Sequence, residues 1–340
     1  MYEQMSLDIG QTDFDNALDR QTDRQTDRRT AQTLDEKIEK SKQALRLAAD
    51  MSKTYYGAPL MIAYSGGKDS DVLLHLAENC LLPEEFEMIN GHTTVDAPET
   101  VYHIRKVFKR LNDKGIKTTI DYHKKPDGTN ETMWSLIVSK RLPPTRIARY
   151  CCRVLKETTT PNRMCAVGVR AAESTNRKGR DIFSIYGKTR KDAYFYSLSH
   201  AMEVHKESQE IQDDNWDCTL IKTMKEHKET VINPIYEWED SDIWDYIRQN
   251  RITVNSMYEM GYKRVGCIGC PLAPYHQRIK EFKDFPKYKQ MYINAFQKMI
   301  DNYPLTCKWK TGEEVFDWWM EEYMHNVKGQ LSLFDDEPQA

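Results

Sequence analysis

The stretch Pro59-Leu60-Met61-Ile62-Ala63-Tyr64-Ser65-Gly66-Gly67-Lys68-Asp69-Ser70-Asp71-Val72-Leu73-Leu74-His75-Leu76 joins three kinds of sequence. An apolar run short enough for a buried parallel strand meets a small polar turn, and the turn opens into Val72, Leu73 and Leu76 at helical spacing. The expectation is strand, phosphate loop, helix. Gly66 and Gly67 let the backbone approach a ligand and point amides inward, while Ser65 and Ser70 supply hydroxyl donors. Lys68 adds a mobile positive charge at a helix start that already favours anions. A polyphosphate is the ligand such a turn is built for. The Walker A pattern is excluded, because Ile62 stands where its first glycine belongs and Asp69 follows the lysine where Ser or Thr is required.

Working outward, 340 residues can bury a substantial core and hold one large domain or two modest ones. A formal net charge of −3 gives no global field towards nucleic acid or membrane, so any basic surface must be local. No run is long enough to span a bilayer and no secretory signal is read at the start, so a cytoplasmic location is expected. The eight cysteines, Cys80, Cys151, Cys152, Cys165, Cys218, Cys267, Cys270 and Cys307, are too irregular for a secreted disulfide scaffold and point to a reducing compartment with metal or redox use.

Residues 1–33 carry the repeat Gln21-Thr22-Asp23-Arg24-Gln25-Thr26-Asp27-Arg28, whose lack of apolar content predicts a disordered arm. From Leu34 to about Met51, Leu34, Ile38, Leu45 and Ala48 mark an amphipathic helix that covers the sheet. A second strand, Phe86-Glu87-Met88-Ile89-Asn90, runs into Gly91–Thr100 and then a helix with Val101, Ile104, Val107, Phe108 and Leu111 on one side. Alternating strand and helix predict an α/β, doubly wound parallel sheet with ligands beyond the carboxyl ends of its strands. Between Lys140 and Lys191 lie 14 Lys or Arg against the three acids Glu157, Glu173 and Asp181, a local imbalance suited to a phosphate-rich ligand. No dependable pattern shows between Asp192 and Lys228. From Asp240 onward the reading is mainly helical, with Val315, Trp318, Trp319 and Tyr323 as core aromatics. The expected organisation is therefore an arm over 1–33, a nucleotide-binding α/β domain over 34–230, a helical region over 231–328 and a flexible acidic tail over 329–340.

Cys151 and Cys152 are adjacent, and Cys267 and Cys270 are separated by two residues. Together these four thiols are candidate ligands for zinc or an iron-sulfur cluster, and a CxxC alone leans to zinc or redox exchange. Neighbouring side chains diverge by about 100° on a helix, which suits two separate iron corners better than one tetrahedral ion.

The hexapeptide Ser65-Gly66-Gly67-Lys68-Asp69-Ser70 resembles the SGGxDS signature of the PP-loop ATP pyrophosphatases, whose adenine nucleotide alpha hydrolase-like fold is doubly wound and which cleave ATP between its α and β phosphates. Asp96 with Pro98-Glu99-Thr100 is similar, at shorter spacing, to the segment after the second strand in the phosphoadenosine phosphosulfate reductase branch. Cys151-Cys152-Arg153-Val154-Leu155-Lys156 resembles that branch's C-C-x-x-x-K segment, and Gly168-Val169-Arg170-Ala171-Ala172-Glu173-Ser174-Thr175-Asn176-Arg177 its G-x-R-x-x-E-S-x-x-R segment. The resemblance covers roughly residues 55–275. The paired cysteines are similar to the 4Fe-4S site of adenylylsulfate reductases and of the sulfur-transfer component of DNA phosphorothioation systems, with zinc as the alternative. Two departures matter. The reductases' C-terminal E-C-G-x-H type motif is missing, Cys307 standing alone, and the loop that those reductases tend to degrade is intact here.

The resemblance implies an enzyme that binds ATP and Mg²⁺, adenylates an acceptor such as DNA or tRNA, and supports sulfur transfer with a donor such as a cysteine desulfurase. Lys68, Asp69, Asp96 and Arg170 are the catalytic candidates, Asp69 and Asp96 being the carboxylates expected near Mg²⁺. Ser65, Gly66, Gly67, Lys68, Asp69 and Ser70, with Arg153, Lys156 and Arg177, are the nucleotide-binding candidates, and Cys151, Cys152, Cys267 and Cys270 the metal ligands. Alternatives are a phosphoadenosine- or adenylyl-sulfate reductase making sulfite, or a non-catalytic nucleotide-binding regulator recruited to DNA. Gln330-Leu331-Ser332-Leu333-Phe334 resembles the peptide by which bacterial proteins dock onto the replication sliding clamp.

Overall fold

Thr33 starts the first helix: its hydroxyl accepts from the Glu36 amide at 3.3 Å while the Glu36 carboxylate accepts from the Thr33 amide at 2.8 Å, a reciprocal cap on helix α1, Leu34–Tyr56. The computed structural model describes residues 32–156, 163–173, 179–186, 193–210, 229–305 and 308–329. Residues 1–31 of the expected arm, Arg177, Cys218, Cys307 and the clamp-like peptide lie outside these residues. Helix α1 runs past the expected end near Met51 and stops at Gly57, whose φ of 63° lets its amide close on the Lys53 carbonyl.

Strands β1 (Leu60–Ala63), β2 (Phe86–Gly91) and β3 (Thr118–Asp121) alternate with helices α2 (Lys68–Glu78) and α3 (Pro98–Asp113). After β3 come α4 (Met133–Lys140) and α5 (Tyr150–Leu155), then β4 (Arg163–Ala166), β5 (Phe183–Tyr186), β6 (Ala193–Tyr196), α6 (Leu198–Glu210) and β7 (Glu229–Ile232). The sheet order is β3-β2-β1-β4-β7-β5-β6. From β3 across to β7 every pairing is parallel, whereas β5 runs antiparallel to both neighbours. The parallel, doubly wound α/β sheet is thus present, with an antiparallel edge whose outer strand, β6, falls in the region where the sequence showed no pattern.

The described chain ends in helices α7 (Asp240–Asn250), α8 (Tyr275–Asp284), α9 (Pro286–Asn302) and α10 (Gly312–Gly329), the mainly helical C-terminal part. Two cores result. One buries Leu60, Ile62, Leu73, Ile104, Phe183, Ile232, Trp238 and Ile243 around the sheet, and it includes α7. The other gathers Phe282, Tyr292, Phe296 and Trp319 from the C-terminal helices and Ile268 from the turn before them, with Val95, Ala97, Met133 and Ile137 from the sheet half. Because the chain between β2 and α4 contributes to the second core, the helices are held against the carboxyl end of the sheet, where the bridge between Asp96 and Cys267 also joins them. Among the described residues no helix is long and apolar enough to cross a membrane.

Candidate active site

β1 pairs with β2 on one side and β4 on the other, so the strand order reverses at its carboxyl end, where ligands of open α/β sheets bind. The turn Tyr64–Gly67 leaves the sheet at that point. Gly66 has φ +74°, and a Cβ there would stand 2.9 Å from Ile104 Cγ1 and 3.2 Å from Thr100 Cγ2, so the loop is seated directly on α3. Ser70 Oγ accepts from the Gly67 amide at 3.1 Å and donates to its carbonyl at 2.7 Å, closing the first turn of α2. The amides of Ser65, Gly66 and Asp69 have no acceptor among the described residues, which is the arrangement a bound phosphate completes.

Behind the loop, Tyr64 Oη donates to Asp71, and His103 Nε2 lies 3.0 Å from Tyr64 Oη and 2.9 Å from Asp71 Oδ1. The C-terminal half supplies two further supports. Tyr258 Oη accepts from the Lys68 amide at 2.9 Å, and Asn255 Nδ2 donates to the Gly66 carbonyl and to Thr100 Oγ1, both at 3.0 Å. Asn255 is completely buried, and its own Oδ1 accepts from the Met257 amide. Asn255→Ala leaves these buried groups without partners, so it should lower the unfolding free energy by roughly 2 kcal/mol and weaken nucleotide binding, which urea denaturation and ATP titration would read.

Two cations face the loop, each nearly buried. Arg170, delivered by the β4 exit, donates from Nε to Asp69 Oδ1 at 2.6 Å, from Nη1 to the Trp238 carbonyl at 3.4 Å and from Nη2 to Asp240 Oδ1 at 3.0 Å. Lys68 Nζ lies 3.3 Å from Asp69 Oδ2 and 2.9 Å from Asp240 Oδ1. Burial pushes the Asp240 carboxyl up, but the Lys68 hydrogen bond and charge, joined by Arg170, hold it below the usual carboxylate range. The close approach of β4 to the loop requires Gly168, where a Cβ would meet the Asp69 backbone at 3.2 Å.

Cys151 and Cys152 lie on α5, and Cys267 and Cys270 on a tight turn in which the Cys270 amide donates to the Cys267 carbonyl at 3.2 Å. The two pairs come within electrostatic reach: the Cys151 thiol is pushed up first by its hydrogen bond to Cys152, then by burial and by Cys267 and Cys270. The same hydrogen bond pulls Cys152 down, helped by Arg149, whose Nη2 is 3.8 Å from the sulfur, and by Lys156. Burial pushes Cys267 up to about 12. Lys156, capping α5, is raised by Cys267 above all, and also by Asp96, Cys152 and Cys270. Among the described residues, no three His, Cys, Asp or Glu side chains are drawn closely enough around one point to hold a single metal ion.

The sequence-derived candidates therefore fall into two groups. Ser65 to Ser70 and Arg170 stand together, and the four cysteines stand with Lys156. Asp96, expected beside Mg²⁺, contacts the cysteine group instead: its Oδ2 accepts from the Thr93 amide at 3.1 Å and its Oδ1 lies 3.9 Å from Cys267 Sγ. Arg153 is exposed on α5. One segment touches both groups, since Thr93 and Asp96 meet Cys267 while Thr100 and Ile104 pack on Gly66. Sequence reasoning missed Asp240, Asn255 and Tyr258. The only sequence signal for Asp240 was an acid in the first turn of a helix, which many helices carry.

Residues 59–273 match the model of the phosphoadenosine phosphosulfate reductase domain. Among curated proteins, the chain is 24% identical to an uncharacterized protein of Methanocaldococcus jannaschii over 74% of this chain and 44% of that one. A second uncharacterized protein of that organism is 23% identical over 78% of this chain and 53% of its own length, so the chain spans about half the length of these relatives. An adenosine 5'-phosphosulfate reductase of Oceanobacillus iheyensis is 22% identical over 63% of this chain and 72% of that protein. Of solved structures, a phosphoadenylyl-sulfate reductase from Candida auris is similar with TM-score 0.40 and 14% identity over 78% of this chain and 98% of that one. The U34-tRNA thiolase of Methanococcus maripaludis with its 4Fe-4S cluster has TM-score 0.36 and 12% identity over 87% of this chain and 84% of that one.

Proposed function

Because this chain belongs to the phosphoadenosine phosphosulfate reductase domain family, a family of PP-loop enzymes, we propose that it is an ATP pyrophosphatase that adenylates an acceptor oxygen and supports sulfur transfer. The observation that carries the reading is the intact loop Ser65–Ser70, with the amides of Ser65, Gly66 and Asp69 open and two buried cations beside it, at the reversal of the strand order. The acceptor oxygen forms a bond to the α phosphorus of ATP, the bond from that phosphorus to the α,β-bridging oxygen breaks, and pyrophosphate leaves. Lys68 and the loop amides bind the β and γ phosphates and stabilise the charge that collects on the leaving group. Arg170 steadies the phosphate chain from the β4 side. Asp69 is the carboxylate that would hold Mg²⁺, which when bound neutralises the phosphates.

Cys151, Cys152, Cys267 and Cys270 would hold a 4Fe-4S cluster, with zinc, for which the thiols would have to draw closer around one ion, as the alternative. The donor chemistry fits: four thiols, of which Cys152 is already biased to thiolate, face the cation of Lys156, which offsets the charge of a thiolate-ligated centre. When bound, the cluster supplies a site for sulfur to be carried. Thr93 and Asp96 orient the Cys267 thiol, and Lys156 balances the negative charge. DNA or tRNA as acceptor and a cysteine desulfurase as donor complete the proposal.

Anaerobically purified protein should contain about four iron and four acid-labile sulfide per chain, and Cys267→Ser should lose them. About one zinc without sulfide selects the alternative, and neither metal nor sulfide removes the centre from the proposal. Incubation with ATP and an acceptor should yield AMP-linked product and pyrophosphate. Sulfite formed from adenylyl sulfate would instead favour the reductase reading.

A further inference from the structure

Asp240 differs from every other group around the loop. Its Oδ1 alone bridges Lys68 Nζ at 2.9 Å and Arg170 Nη2 at 3.0 Å, yet its side chain is 62% exposed while those of Lys68 and Arg170 are 7% and 4% exposed. It therefore covers two buried cations from the solvent side. Asp69, the other carboxylate, sits within the loop and is fixed by Arg170 Nε at 2.6 Å.

Nor is Asp240 needed where it stands. It is the first residue of α7, but the helix start is closed by Asp242, whose Oδ2 accepts from the Glu239 amide at 2.7 Å and pairs with Lys37. A carboxylate at the first helical position keeps the favourable field of the helix amides wherever its side chain turns. Swinging away from Lys68 thus returns it to water at a helix end that stabilises negative charge.

We propose that Asp240 is a counter-ion displaced by the ligand: it pairs with Lys68 and Arg170 and surrenders both to the phosphate oxygens of an incoming polyphosphate. The inference rests on the reading of Ser65–Ser70 as a polyphosphate cradle and adds how that cradle is kept neutral and selective. A weakly charged anion cannot outcompete a carboxylate already held by two cations, whereas a diphosphate or triphosphate can, so Asp240 raises the charge a ligand needs.

The test is calorimetric titration of the full-length protein with inorganic pyrophosphate in EDTA, comparing wild type, Asp240→Asn, Asp240→Ala and Lys68→Ala, each checked by thermal melting. Asp240→Asn and Asp240→Ala should bind about tenfold more tightly, the scale of removing one like charge from a partly solvated site, and Lys68→Ala should bind at least about tenfold more weakly. If Lys68→Ala weakens binding while both Asp240 variants match wild type or bind less well, the displaced counter-ion is refuted and the cradle stands. If no variant differs from wild type, or none binds, the cradle reading fails and the inference with it. Weaker binding of magnesium pyrophosphate by Asp240→Asn, with metal-free binding unchanged, would make Asp240 a metal ligand and also overturn the proposal.

Discussion

Lys68→Ala should cut pyrophosphate release from ATP by about 10²- to 10³-fold, the usual loss when one preorganised donor to developing charge is removed, while the fold survives. The size follows from placement. The lysine is almost fully buried beside the loop, so its charge acts in a medium that screens it weakly, and its backbone amide is pinned by Tyr258. The tolerance of the fold follows from the neighbours, because Asp69 and Asp240 keep Arg170 as a partner when the lysine is gone. Lys68→Arg should recover little, since a planar guanidinium does not present its charge as does the compact ammonium buried between Asp69 and Asp240. ATP should also cease to raise the melting temperature of Lys68→Ala, which separates lost binding from lost chemistry. Full turnover by the alanine variant would remove the loop from the reaction.

The loop could be read from the sequence because everything that makes it is local: strand, glycines, lysine and helix start fall within eighteen consecutive residues. What completes it is not local. Tyr258 and Asn255 reach the loop from 190 and 189 residues away, and Asp240 closes on Arg170 across 70. Nothing in the residues flanking these three ties them to the loop, so only the folded chain reveals that they support it. The antiparallel edge escaped for another reason. Tyr194 and Phe195 on β6 are both partly exposed, so the strand carries no inside-outside alternation, and α6 presents only Leu198, Ala201 and Val204 as a narrow apolar stripe. The cysteines lie between these cases. Their spacing marked four candidate ligands, but Asp96 as a neighbour of Cys267 depended on β2 and the C-terminal helices meeting at one end of the sheet.

Gly269→Ala should destabilise the protein by roughly 4 kcal/mol, a large share of the 5–15 kcal/mol that holds a typical domain together. Two costs add. Gly269 has φ +73°, where an L residue loses about 1–2 kcal/mol. Its Cβ would also stand 2.7 Å from Phe282 Cζ, 3.0 Å from Trp319 Cη2 and 3.2 Å from Tyr292 Cε2. These rings cannot retreat, since Tyr292 and Trp319 already pack with centroids 4.8 Å apart and Tyr292 Oη is tied to the Ile268 carbonyl at 2.9 Å. Overpacking such a site costs about 1–3 kcal/mol more. The turn is further held by the buried Glu281, whose Oε2 accepts from the Gly269 amide at 2.7 Å. Moving the turn aside therefore drags Cys267 and Cys270 off their position opposite Cys151. Gly266→Ala is the control, because a Cβ there meets nothing within 4 Å, and its effect should stay within about 0.5 kcal/mol. Urea unfolding of the two variants, read beside their iron and zinc content, tests whether the C-terminal aromatic core and the four-cysteine site are one packing unit. A wild-type unfolding midpoint for Gly269→Ala would show that they are not.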